Sequence, residues 1–393
     1  MSGWPTASLG DVVDVRIGPF GSLLHKEDYT EDGVPLVNPM HIDRGSIVSD
    51  RRHSVKEEKA AELAGYRMLP GDVVLGRRGE MGRCAVVQPA ESGFLCGTGS
   101  LFLRPDERVS PEFLAKLMSS PDMVRLLERE SLGTTMPNLN RTIVSNIQIA
   151  LPPIEEQRRI AAILEHADAL RAKRREALAH LDDLTQSIFI DMFGDPLRNP
   201  RGWDRAPLAD VVGSIIDCPH STPKWTEVGE ICLRTSNLLE GEWDWTDTRF
   251  VSVDTYHERS RRGYLEPGDI VLSREGTVGI AAIVPPEPRL CMGQRLVQIK
   301  PATVLLPQYL LRVLLFELAP ERIARVMIGS TSSHLNVKEL RALLVSVPPM
   351  KAQSSFARRM ASIDKVKAEH RTALAELDAL FASLQSRAFR GEL

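Results

Sequence analysis

Apolar and polar positions follow a helical period over one long stretch, from Leu151 to Pro196. It opens on Pro152-Pro153, holds no Gly or Pro from Ile154 to Phe193, and stops at Gly194 and Pro196. Proline cannot continue a helix interior and glycine favours a left-handed exit, so both ends are marked. Ile160, Ile163, Ala167, Leu170, Arg174, Ala177, Leu181, Leu184, Ile188 and Asp191 form a mostly apolar stripe. Its spacing is the roughly 3.5 residues of a coiled-coil seam. A helix from Ile154 to Phe193 spans roughly 60 Å at about 1.5 Å per residue. That is too long for one small core, so the pattern predicts a partner helix.

The partner lies at the carboxyl end, from Val347 to Leu393, and an offset of 196 superposes the two runs. Pro152-Pro153 falls on Pro348-Pro349, Gln157 on Gln353, Asp168 on Asp364 and Phe193 on Phe389. The stripe recurs as Phe356, Ile363, Val366, Ala373, Leu377, Leu380 and Leu384, interrupted by His370. Lys351-Ala352 stands where the first copy has Glu155-Glu156, so Pro-Pro and Gln are what the two openings share.

Before each helix the pattern is that of a mixed globule. In the first, Ser8 to Val13 predicts a capped helical turn, Val34 to Pro39 a strand, and Pro70 to Val87 two strands around a Gly-rich turn. Phe94 to Arg104 predicts one strand, Ser110 to Glu130 one amphipathic helix, and Ile143 to Ile149 a last strand. The order then repeats. EPGDIVLSREGTVGIAAIV (Glu266 to Val284) answers LPGDVVLGRRGEMGRCAVV (Leu69 to Val87), and IGSTSSHLN answers LGTTMPNLN. A period this long is a duplication, not a solenoid. The fold class expected is α/β (mixed α+β): two similar globules at 1–150 and 197–346, and two long antiparallel helices at 151–196 and 347–393 forming a coiled coil.

Composition narrows the function classes. No apolar run reaches the ~20 residues of a membrane span and no signal segment opens the chain, so a cytoplasmic location is expected. Five dispersed cysteines form no CxxC pair, which predicts reduced thiols and no metal knuckle. The net charge of −3 neither requires nor forbids a nucleic-acid partner, since 49 Lys and Arg can still gather locally.

Enzyme signatures are missing. A DNA amino-methyltransferase needs N/D-P-P-Y/F, and only Asn38-Pro39-Met40 is present. Gly76, Gly79 and Gly82 do not match GxGxxG, and no GxxxxGK[ST] occurs for ATP. Glu57-Glu58-Lys59 lacks the preceding Pro-Asp of a nuclease, and Cys218-Pro219-His220 has no further ligands. No catalytic residue, metal or cofactor is therefore assigned.

With PP-x-x-x-Q opening both helices, GPFGSLLHKEDYTEDGVPLV, DCPHSTPKW, the two PGD(V/I)VL blocks and the terminal AFRGEL, the chain resembles the specificity subunit of type I restriction–modification systems over its full length. The resemblance implies that each globule is a target-recognition domain reading one half of a split DNA sequence. It implies that the helices pack antiparallel, hold the globules apart and dock two methyltransferase subunits, with restriction–translocation subunits as further candidate partners. S-adenosylmethionine and ATP are then expected only on those partners. The rival classes are a nuclease or methyltransferase fused to a recognition domain, and a protein scaffold without DNA specificity.

DNA recognition needs cations for phosphates and forked donors for guanine edges. Arg77, Arg78 and Arg83 lie in the first Gly-rich turn, and Arg274 in the second. Ser22, His25 and Lys26 follow the first opening strand, and Ser221, Thr222 and Lys224 occupy the corresponding loop. Thr134, Thr135 and Asn138 match Ser330, Thr331 and His334 in polar loops suited to phosphate oxygens or to helix capping. Arg259, Arg261 and Arg262 form a basic cluster, either DNA-facing or merely exposed. Trp243 and Trp245 share one strand face, where hairpin packing is the expectation.

Overall fold

The computed structural model describes residues 4–19, 23–131, 138–320, 322–323 and 334–393. The chain divides into two compact units, residues 1–175 with 372–393, and 176–371. Two helices, Ile154–Phe193 and Met350–Arg390, each contribute to both.

The first unit has a four-stranded antiparallel sheet in the order Val13–Ile17, Ser100–Pro105, Val73–Gly76, Cys84–Val86. A second four-stranded sheet runs Leu95–Cys96, Val34–Val37, Ser54–Val55, Tyr29–Thr30, its first pair parallel. Thr6–Ser8 pairs with Gln148–Ala150. The second unit repeats this order. Its main sheet is Val212–Asp217, Leu296–Pro301, Ile270–Ser273, Ala281–Ile283. Its smaller sheet joins Trp225–Thr226, Phe250–Val251, Glu230–Leu233 and Leu290–Met292, and Arg205–Pro207 pairs with Leu344–Ser346.

Three local expectations are corrected. The stretch from Phe94 to Arg104 holds two strands in different sheets, Leu95–Cys96 and Ser100–Pro105, because the Gly97-Thr98-Gly99 turn redirects the chain. The helix expected from Ser110 to Glu130 is two helices, Pro111–Met118 and Pro121–Glu130. Pro121 cannot continue the first, and Ser120 caps the second by accepting the Met123 N–H. Part of the strand expected from Ile143 is the short helix Arg141–Ser145, capped by Asn140, and the strand begins at Gln148.

Both long helices are built into the cores. In the first unit Ile160, Ala161 and Leu164 pack with Ala388, Phe389 and the sheet residues Val73, Leu75 and Leu101. In the second, Phe356, Met360 and Ile363 pack with Phe189, Phe193 and the sheet residues Ile270, Leu272 and Val297. Within each unit the helix segments run antiparallel. Arg171 Nε donates to Asp378 Oδ1 at 2.6 Å, while Arg159 Nη2 reaches Leu393 O at 3.0 Å. In the second unit the buried Lys367 pairs with Asp182, and Phe356 packs edge-on to Phe193 at 5.4 Å.

The buried helix face differs from the 3.5-residue stripe. Gln157, Ile160, Leu164, Ala167, Thr185, Phe189 and Phe193 are buried, whereas Leu170 and Leu184 are exposed. The second helix does the same, with Val366 and Leu380 exposed. A helix of about 3.6 residues per turn drifts ~20° per heptad, so a strict 3.5-residue stripe rotates off the packed face.

The shared Gln explains the recurring motif. Gln157 is fully buried: its Oε1 accepts the Ser110 N–H at 2.9 Å, and its Nε2 donates to Arg108 O and Pro152 O, both at 2.8 Å. Gln353 does likewise with the Leu306 N–H at 2.8 Å and with Val304 O and Pro348 O at 2.9 Å. Each Gln thus fastens its helix start to the loop before the nearest globule helix. Leaving such groups buried without partners costs about 1–3 kcal/mol each. Gln157→Leu should therefore lower the chemical denaturation midpoint, and the isosteric Gln157→Glu, which loses both donors, should fall comparably. Unchanged midpoints in both would contradict this role.

Candidate nucleic-acid interface

Where the strands of each main sheet end on one side, four chain segments are tied into an edge by backbone bonds that repeat between units. In the first, Arg78 forms an isolated bridge with Asn138, and the Leu139 N–H donates to Arg77 O at 3.0 Å. In the second, Glu275 bridges His334, and the Leu335 N–H donates to Arg274 O at 2.8 Å. The Arg77 N–H donates to Gly99 O, and the Arg274 N–H to Arg295 O, both at 3.0 Å. Gly18 and Cys218 join through N–H bonds to Ser100 O at 3.0 Å and Leu296 O at 3.2 Å. Glycine is required in the connecting turns: Gly79 has φ +77°, and a Cβ on Gly279 (φ +90°) would lie 2.3 Å from Leu318 O.

The expected residues divide by position. Arg78 is exposed at this edge, beside the partly buried Asn138, whose Oδ1 has no hydrogen-bond partner among the described residues. Arg274 is partly buried, with Nε 3.4 Å from Asp217 Oδ1 and Nη2 3.7 Å from Glu275 Oε1. His334 is partly buried beside Glu275. His25, Lys26, Ser221, Thr222, Lys224, Arg261 and Arg262 are exposed. Arg83 pairs with Glu80 and lines a cleft with Lys116 and Asp168. Ser22, Thr134, Thr135, Ser330 and Thr331 lie outside the described residues.

Arg77 and Arg259 are corrected from surface cations to internal struts. Arg77 is buried and its Nε donates to Thr98 O at 3.1 Å; burial, then the charge of Arg78, lowers its pKa from the usual arginine value. Arg259 is only 5% exposed, and its guanidinium donates to Met292 O (2.7 Å), Ser221 O (3.1 Å) and Pro219 O (3.2 Å). Loops that turn carbonyls inward need such donors, and the planar fork of arginine supplies several at once. Gln294 and Arg295 were not singled out from the sequence. Their signal was positional: they stand where the first copy has Thr98 and Gly99.

Little of the remaining chemistry suggests a reactive centre. All five cysteines are buried free thiols, and burial pushes Cys84 up to about 12. His41, Asp50 and His53 place potential ligand atoms within 4.8 Å of one another. His41 Nδ1, however, accepts the Asn38 N–H at 3.1 Å, as Asn237 Oδ1 accepts the Arg234 N–H at 2.9 Å in the second unit. Nε2 then carries the ring proton of neutral His41 and offers no lone pair. The cluster reads as a helical-turn cap. Trp243 and Trp245 stack at 5.3 Å, and Trp243 Nε1 donates to Ile283 O at 2.7 Å, so Trp243 is hairpin packing.

Comparison with known proteins agrees with this duplicated architecture. Residues 1–180 and 225–379 match the family model described as type I restriction modification DNA specificity domain. The chain is 23% identical to the EcoKI specificity subunit of Escherichia coli K12, over 100% of this chain and 89% of that one. It is 21% identical to a putative MjaX specificity subunit of Methanocaldococcus jannaschii, over 92% and 87%. A chain from a solved structure on complex assembly and conformational transition of the type I R-M system superposes with a TM-score of 0.55, at 23% identity, over 100% of this chain and 98% of that one. With the family model covering the first globule, most of the second and most of both helices, the chain belongs to the type I restriction–modification DNA specificity subunits, the non-catalytic sequence-recognition members of those systems.

Proposed function

We propose that each unit reads one half of a bipartite duplex target through its four-segment edge, and that the antiparallel helices form a coiled coil setting the gap between the halves. The observation that carries this reading is the edge itself, built twice by the same backbone bonds (Arg77 to Gly99, Arg274 to Arg295) while its side chains differ. A common frame with different side chains suits two readers of different half-sequences.

The helices also dock two methyltransferase subunits, one per unit, and any restriction–translocation subunit joins through that assembly. Supporting this are the apolar side chains left exposed on the paired helix segments, Leu170 and Leu380 in the first unit and Leu184 and Val366 in the second. S-adenosylmethionine and ATP bind on the partner subunits, and the complex works in the cytoplasm.

Selection by the full-length chain, with its methyltransferase partner, from duplexes randomised over a long window should return two short sequence blocks separated by a fixed gap. A single block, or no preference, would contradict the bipartite reading. Binding of S-adenosylmethionine by the isolated chain would contradict the assignment of that cofactor to the partner.

A further inference from the structure

Arg295 occupies a position its backbone does not favour. Its φ is +68°, in the left-handed region that residues bearing a Cβ avoid. The aligned residue of the first unit is Gly99, which does not adopt that left-handed backbone, while the carbonyl at this position makes the same 3.0 Å bond in both units. Core packing does not account for arginine, because its side chain is 60% exposed. A side chain held in a sparsely populated backbone state at a binding edge invites a functional reading.

Its neighbour supplies the reason. Glu275 stands where the first unit has the exposed Arg78, and Glu275 Oε2 lies 3.4 Å from Arg295 Nε. Between the two copies the edge cation has therefore moved from the Gly-rich turn to the adjacent loop. That loop is fixed on both sides. Gln294 Nε2 donates to His220 O at 2.6 Å, and the Arg295 carbonyl is held by the Arg274 N–H.

We propose that Arg295 is the base-reading arginine of the second unit, taking a guanine O6/N7 edge, in the place that Arg78 fills in the first. This deepens the DNA-reading function proposed above and rests on it. A guanidinium presents two parallel donors to that edge, which a lysine cannot do. An exposed ion pair contributes little in water, so Glu275 orients the fork without holding it back from a base. The carboxylate beside it disfavours a phosphate as the ligand and can itself accept from a cytosine N4 amino group.

The test uses full-length Arg295→Gly and Arg295→Lys chains with the methyltransferase partner. Glycine accepts the left-handed backbone, so Arg295→Gly should melt no lower than the parent. In selection from duplexes randomised in both half-sites, both variants should lose preference for one G·C pair in one half-site, by about 10-fold to 100-fold. The other half-site should be unchanged. Weakening that is uniform across sequences, with a salt dependence shallower by about one ion, would make Arg295 a phosphate contact and overturn the proposal. So would an unaltered preference in Arg295→Gly. A parent chain that selects no bipartite sequence would overturn the underlying reading too, and is distinguishable because it fails before any substitution.

Discussion

Ile160, Ala161 and Leu164 from one long helix, and Ala388 and Phe389 from the other, close the core of the first unit. Phe356, Met360, Ile363, Phe189 and Phe193 do so for the second. Each large apolar side chain buried in this way is worth about 1.5–3 kcal/mol, so neither unit can release its helix segments and keep a closed core. The buried Gln157 and Gln353 add direction to that burial, because each satisfies one N–H and two carbonyls only when its helix enters at a particular place. The helices are therefore structural parts of both globules. Ion pairs near the middle of each helix, Arg171 with Asp378 and Lys367 with Asp182, join segments already brought together by apolar contact.

Once the frame is held by burial and backbone bonds, side chains at the four-segment edge are free to vary. The Arg77 and Arg274 main-chain bonds to the neighbouring loops are the same in both units, and these bonds depend on no side chain. Positions around them differ: Arg78 against Glu275, Gly99 against Arg295, Asn138 against His334. Recognition can thus change without disturbing the fold, which suits a duplicated protein proposed to read two different half-sequences.

Much of this was legible in the sequence, for physical reasons that can be named. Pro-Pro and the Gly-marked ends identified the helices, because each constrains the backbone locally, and the repeated PGD blocks and the shared Gln identified the duplication by recurring in both copies. The phase of the buried stripe was not legible. Leu170 and Leu184 lie on the heptad stripe and are exposed, whereas Leu164 lies beside it and is buried, and only tertiary contact shows which faces the core. The break at Pro121 was readable but was overridden by the amphipathic pattern around it. At the edge, composition located the arginine-bearing turns but could not tell an inward strut such as Arg259 from an outward one such as Arg78, since that depends on where carbonyls turn. Arg295 carried no motif, and its unusual φ is visible only in the structure.

If the paired helices set the distance between the two readers, lengthening them must change the gap between the recognised half-sequences. One heptad inserted after Arg175 and another after Arg371 fall at the sequence boundaries of the compact units and lengthen both helices together. Seven residues turn a helix to within about 20° of two full turns, so the packed faces stay aligned. Each insertion adds about 10 Å at ~1.5 Å per residue, equivalent to roughly three base pairs at about 34 Å per ten. Those base pairs also rotate the second half-site by roughly a quarter to a third of a turn, so binding should weaken unless the DNA twists or bends to compensate. The measurement is the preferred gap selected from a library in which both half-sequences are constant and only the spacer length varies. The expected gap is longer by about three base pairs; an unchanged gap bound with undiminished affinity would show that the helices do not set it.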